Sequence, residues 1–291
     1  MSIARVVLYG CLALVELAFI SVWLRAVKRH KPAMRPSLGD MLIGCGTGFL
    51  DTLGIGSYAQ ITALFKLRGS PSDELIPGTL NVGSAISIIF SALLFVEVID
   101  VQPVLLASMV FAAGTGAWVG ADIVSKLPRR AIQLLMGIAL LVAAGFFTIT
   151  NVGILPPGGT AMGLAGWRFA IAVAANFVLG ALMCVGIGNY APSMALLAFL
   201  GMHPLAAYPI MIASDSMLIP VASVGFVKSG RYANAVAIGL TIGGIVGVLL
   251  ALPLVKMLGN HLAVMRWVVT GVITYAAVAM LRSALRVDMP T

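Results

Sequence analysis

The chain has 291 residues, 60% hydrophobic and only 10% charged, with a mean hydropathy of +1.07. A soluble domain carries about 25% charged residues, so this composition excludes a water-covered globule. The net charge of +8 does not point to nucleic acid, because Lys and Arg sit in short loops between apolar segments, where membrane topology places them.

The apolar segments run roughly over 3–27, 38–67, 73–98, 101–125, 130–149, 167–201, 204–228, 232–254 and 261–285. Lengths of about 17–25 residues match a hydrocarbon core about 30 Å thick, and predict an all-α, polytopic membrane protein. The first segment is too long for a cleaved leader and carries Glu16, and no small-residue cleavage site follows Arg25 to Arg29; it is expected to be a retained helix. The segments 38–67 and 167–201 exceed one crossing, and each contains a Gly-x-Gly break. The stretch 151–166 is uncharged and rich in Gly and Pro, which reads as a linker. Four parts follow: an N-terminal helix with a basic loop (1–37), a first repeat (38–150), the linker, and a second repeat (167–291).

The repeat is carried by Leu53-Gly-Ile-Gly-Ser-Tyr-Ala-Gln60 and Val185-Gly-Ile-Gly-Asn-Tyr-Ala-Pro192, offset by 132 residues. Without gaps, the offset also aligns Ala63 with Ala195, Gly69 with Gly201, Pro77 with Pro209, Ser84 with Ser216 and Ser91 with Ser223. The 11 identities over 53–91 compare with about 3 expected by chance. Charge decides how the copies are oriented. If 38–67 and 167–201 are re-entrant hairpins, 14 Lys and Arg share one face against 4 opposite; if each crosses once, the split is 10 against 8. The positive-inside rule favours hairpins. Each copy is then a hairpin plus three crossings, and an odd number of crossings inverts the second copy, as in secondary transporters.

Gly54, Ile55 and Gly56, and likewise Gly186 and Gly188 around Ile187, allow a sharp backbone turn. Ser57 and Asn189 follow at equivalent positions, and both are preferred N-cap types. Two half-helix starts would then meet at mid-membrane, where free N–H groups favour an anion. A tight packing kink is the plain alternative. Tyr58 and Tyr190 would shape the pocket. Thr79, Asn81 and Ser84 in the first copy, with Ser214 and Ser216 in the second, add donors to such a site or simply tie helices together. Pro77 and Pro209 would free carbonyls near them. Asp51 and Asp215 are costly at this depth; their counterparts are Met183 and Gly83. They are candidates for proton coupling or structural acids paired to a neighbour.

Other features read as packing: Gly44-Cys-Gly-Thr-Gly48, Gly116 with Gly120, and Gly239 with Gly243. Cys11, Cys45 and Cys184 lack the spacing of a disulfide or zinc site. No cofactor, metal ligand set or catalytic cluster is visible, so an enzyme is not expected. His203 is expected at the interface, and Lys126-Leu-Pro-Arg-Arg130 as a topogenic loop.

The Gly-Ile-Gly break, the Pro-Gly-Thr-Leu-Asn stretch at 77–81 and Lys126-Leu-Pro-Arg-Arg130 together resemble the TauE/SafE sulfite exporter family over both repeats. The resemblance implies ATP-independent export of sulfite, sulfoacetate or another sulfonate from a bacterial inner membrane. The chain departs from the family's longer glycine run, with Ser57 and Tyr58 directly after Gly56. The expected partners are a small anion and the lipid bilayer, with no nucleic acid and with pairing as a homodimer left open. A passive anion channel is the alternative, with a membrane enzyme or a scaffold further behind.

Overall fold

In a computed structural model of the protein, residues 3–30, 32, 34–53, 55–95, 101–154, 159–186, 188–255 and 263–285 are described. Gly54, Ile187, Lys31, Glu97, Asp100, Lys256 and Arg286 lie outside them, as do the side chains of Arg5 and Arg266. Eleven α-helices run in order among the described residues. They are α1 (Ile3–His30), α2 (Leu38–Thr52), α3 (Tyr58–Arg68), α4 (Ile76–Phe95), α5 (Pro103–Val124), α6 (Arg129–Asn151), α7 (Gly166–Met183), α8 (Tyr190–Phe199), α9 (Pro204–Ser229), α10 (Asn234–Val255) and α11 (Ala263–Leu285). Among the described residues, seven helices are long and apolar enough to cross a membrane. Large apolar side chains such as Leu14, Leu24, Trp118 and Leu249 face outward, as lipid requires. The protein is a polytopic all-α membrane protein.

The helix order and contacts follow the sequence offset. An offset of 132 carries α2 onto α7, α3 onto α8, α4 onto α9, α5 onto α10 and α6 onto α11. The helix contacts survive this exchange. α2 packs on α10 as α7 packs on α5, α4 on α10 as α9 on α5, and α3 on α11 as α8 on α6. The pairs α4–α9 and α6–α11 map onto themselves. α1 stands outside the scheme and lies along α9.

Glycine sets the closest of these crossings. A Cβ added at Gly243 would lie 2.0 Å from the Met41 carbonyl oxygen, and one at Gly247 2.1 Å from that of Cys45. From the other side, Gly44 and Gly48 meet the backbone of Leu240 and Gly244. Gly116 and Gly120 play the same part against Phe177 and Ala181 on α7. Without a hydrophobic drive between helices in lipid, backbone approach of this kind supplies the packing energy.

Both broken segments fold back on themselves. A continuous helix from Leu38 to Arg68 would separate its ends by about 46 Å, yet Arg68 at the end of α3 bonds Asp40 and Ser37 at the start of α2. Ser37 and Asp40 also form a reciprocal capping box there, so the buried Asp40 carboxylate is fully partnered. Beside it, Lys66 bonds Asp73 at 2.8 Å, Gln133 donates to the same carboxylate at 2.7 Å, and Arg129 approaches Asp73 and Glu74. The mouth of the first hairpin is therefore held by charge.

The mouth of the second hairpin is closed by different means. Arg168 on α7 approaches Gly201 just past α8, and Ala161 bridges Met202 through backbone hydrogen bonds. This mouth lies by the start of α5, where Gln102 bonds Met162 and Leu164. The first mouth lies by the start of α6, a short loop beyond the end of α5. The two mouths thus sit at opposite ends of α5.

Replacing Arg68 with Ala leaves Asp40 buried without its cation. We expect a loss of about 1–3 kcal/mol, read as a lower melting temperature, with faster proteolysis between residues 37 and 73 than in the wild type.

Candidate functional site

The two breaks meet inside the bundle. Gly56 and Gly186 have φ of 87° and 98°, a conformation that favours glycine; it lets the chain turn from α2 into α3 and from α7 into α8. A Cβ on Gly56 would lie 4.0 Å from that of Tyr190, so the hairpin tips touch. Ile55, Gly56, Ser57, Tyr58, Gly188 and Tyr190 line a small space between them.

Ser57 and Asn189 stand at the N-cap positions of α3 and α8, but neither side chain caps its helix. This corrects the sequence expectation. Their φ and ψ, −125° and −31° for Ser57 and −73° and −26° for Asn189, lie outside the extended region that aims a capping oxygen at the helix. Each side chain turns to an acid instead. The Ser57 hydroxyl hydrogen-bonds the Asp51 carboxylate, and Asn189 Nδ2 donates to Asp215 Oδ1 at 2.9 Å. Ser193 donates to Asn189 Oδ1. The first-turn N–H groups of both half-helices are left without a side-chain cap.

The acids share a cavity. Asp51 on α2, Ser57, Ser84 on α4 and Asp215 on α9 line one tight space of about 20 Å³, room for roughly one water molecule. Thr47, Ser87 and Ser91 complete its polar wall, and none of the three stood among the site residues expected from sequence. Ser84, Ser87 and Ser91 occupy one face of α4, since residues three and four apart align on a helix; that spacing was the available signal. The Ser91 hydroxyl is buried and without a partner. No Lys or Arg among the described residues lines the cavity. At the positions that the offset of 132 relates to Thr47, Asp51, Ser87 and Ile88 stand Leu179, Met183, Ile219 and Pro220, so these polar groups are not duplicated in the second copy.

Other sequence candidates lie elsewhere. Tyr58 donates to Asn81 Oδ1 at 3.1 Å, and Asn81 Nδ2 in turn donates to the Pro77 carbonyl at 2.8 Å. Pro77 is in the first turn of α4 and does not break a helix, because a missing N–H there costs no intrahelical bond; Pro209 does sit inside α9. Thr79 accepts from the Ala233 N–H at 2.9 Å and donates to Leu75, tying α4 to the α9–α10 connection. Ser214 accepts from Asn176, and Ser216 donates back to Ile212 within its own helix. Cys11, Cys45 and Cys184 are free, with Cys184 buried. Among the described residues, no group of His, Cys, Asp and Glu could hold a metal ion.

Comparison with curated proteins and with solved structures gives no match. The sequence pattern of the family described as Sulfite exporter TauE/SafE matches residues 2–147, which span α1 and most of the first repeat. That stretch contains the Gly-Ile-Gly break, Asp51, the serine face of α4 and the charged hairpin mouth. The chain belongs to the sulfite exporter TauE/SafE family.

Proposed function

We propose that the protein is a secondary transporter that exports a small sulfur-containing anion, such as sulfite, sulfoacetate or another sulfonate, together with protons. The observation that carries this reading is the contact of two hairpin tips beside a cavity with two acids. Uncapped starts of α3 and α8 offer backbone N–H groups and the positive ends of two helix dipoles to an anion. Hairpin mouths at opposite ends of α5 support reading the halves as inverted repeats, the architecture of alternating access. Charge bias supports a cytoplasmic position for the first mouth, and the proposed setting is a bacterial inner membrane.

Protons enter the scheme through charge balance. An anion that approaches two ionised carboxylates in a dry site is repelled by both. With no cation in the cavity, protonation of Asp51 and Asp215 is the way to admit the anion, so its binding and theirs are linked. The tightness of the cavity supports an occluding carrier over a passive pore: an oxyanion larger than water enters only if a hairpin moves.

A thermal-shift screen of the purified protein against sulfite, sulfoacetate, taurine, sulfate and simple carboxylates tests the substrate class. A ligand at 100 times its Kd stabilises by about 2.7 kcal/mol. A sulfur oxyanion should raise the melting temperature, and Ser57→Ala should weaken that shift. Stabilisation by carboxylates alone, or a shift that Ser57→Ala leaves intact, overturns the proposal.

A further inference from the structure

A second cavity, of about 390 Å³, opens where the end of α1 meets the connection between α9 and α10. His30, Lys228, Ser229, Tyr232 and Asn234 give it polar walls, and Val227 an apolar floor. Its size falls in the range of small-molecule sites. We propose that it binds the phosphate headgroup of an anionic phospholipid.

Three observations support this. The cavity lies at the level where two membrane spans end, α1 at His30 and α9 at Ser229, which is the depth of lipid headgroups. The surrounding sequence is basic without relief: five Lys and Arg fall between residues 25 and 35 and two more between 228 and 234, with no acid in either stretch. The nearest carboxylate beyond them, Asp40, is already taken by Arg68. Clusters of this kind next to a membrane span attract anionic lipid. Topological bias accounts for basic residues on this face, but it does not require a cavity wedged between α1 and α9.

The lining is also wired to the transport machinery. Trp23 Nε1 on α1 donates to Asn234 Oδ1 at 2.9 Å, and the neighbouring Ala233 N–H donates to Thr79 on α4. Asn234 opens α10, which carries Leu240 and Gly244 of the acid cavity. A headgroup seated against Lys228 and Tyr232 braces the joint between α1, outside the repeats, and the α9–α10 connection inside the second. This inference holds whichever anion the protein carries.

The test uses the full chain, purified and returned to phosphatidylcholine nanodiscs, with phosphatidylglycerol titrated in. Native mass spectrometry of protein released from the nanodiscs should show phosphatidylglycerol retained in preference to phosphatidylcholine, and the melting temperature should rise with it. Each basic charge near the surface changes binding about fivefold. Lys228→Glu, a change of two charges, should therefore weaken retention roughly 25-fold, while Lys228→Arg keeps it. Lys228→Gln and His30→Ala, milder changes at exposed positions, should each weaken it by a few-fold and guard against a folding defect in the charge reversal. Equal retention of phosphatidylcholine, or unchanged retention in all these variants, overturns the proposal. Inorganic phosphate or sulfite matching the lipid's effect also overturns it, and identifies a site for soluble anions instead.

Discussion

Asp215→Asn is expected to flatten the pH dependence of transport, with Asp51 left as the remaining titrating acid of the cavity. If a carboxyl group must take up a proton before the anion enters, the rate changes by about tenfold per pH unit on one flank of its titration. The variant carries a neutral side chain at every pH, so in proteoliposomes its rate should vary less steeply with pH than the wild type's, and a proton gradient should drive less accumulation. The amide retains an oxygen to accept from Asn189, which limits damage to the hairpin tip. Asp51→Asn should act in the same direction. Because both acids line one cavity, the double variant should show less than the sum of the single effects. A pH profile in Asp215→Asn that follows the wild type's would refute proton coupling at this residue.

The second large effect is structural. Gly243→Val is expected to prevent accumulation of folded protein, since even its Cβ would lie 2.0 Å from the Met41 carbonyl oxygen. That obstacle is backbone on α2 and cannot swing aside as a side-chain end can. Overpacking in a tight core costs about 1–3 kcal/mol and occasionally more; with backbone on both sides the upper end applies, and α2 would be forced off α10 along with Asp51. Gly46→Ala is the internal control. Gly46 lies on α2, the partner helix in this crossing, with nothing within 4 Å of its Cβ position, so the change should leave the melting temperature within about 2 °C or raise it slightly, as Ala favours helix. Equal behaviour of the two variants in detergent melting and size-exclusion chromatography would show that the α2–α10 crossing does not set stability.

Much of the architecture was legible because it depends on length, apolarity and repetition. The offset of 132 residues pairs α2 to α6 with α7 to α11, and the Arg68–Asp40 contact joins the ends of the first broken segment. Glycine spacing at Gly116, Gly120, Gly239 and Gly243 correctly read as packing. The finer chemistry was less legible, because it depends on which way a side chain turns. Ser57 and Asn189 have the composition of caps, yet a buried carboxylate in apolar surroundings is a stronger demand for a hydrogen bond than an amide at a helix start, so both turned to the acids. Thr79, Asn81, Ser214 and Ser216 looked equivalent to Ser84 in sequence, and only helix rotation separates them. Thr47 and Ser87 were not read as site residues because their counterparts, Leu179 and Ile219, give no duplicated signal, and Ser91, matched by Ser223, counted only as a mark of the repeat.

The unlike fastenings of the two hairpin mouths have a kinetic consequence. Ion pairs at the first mouth are weakened by salt, since screening shortens from about 8 Å at 0.15 M to about 3 Å at 1 M ionic strength. The second mouth relies chiefly on backbone hydrogen bonds between Gly159 or Ala161 and Met202 or His203, which ionic strength barely affects. If the protein is the carrier proposed above, its two half-cycles respond to different solvent variables: added salt on the side of Arg68 should speed release there while leaving the return step at its former rate. A measured cycle would then shift its slow step from one face of the membrane to the other as ionic strength rises.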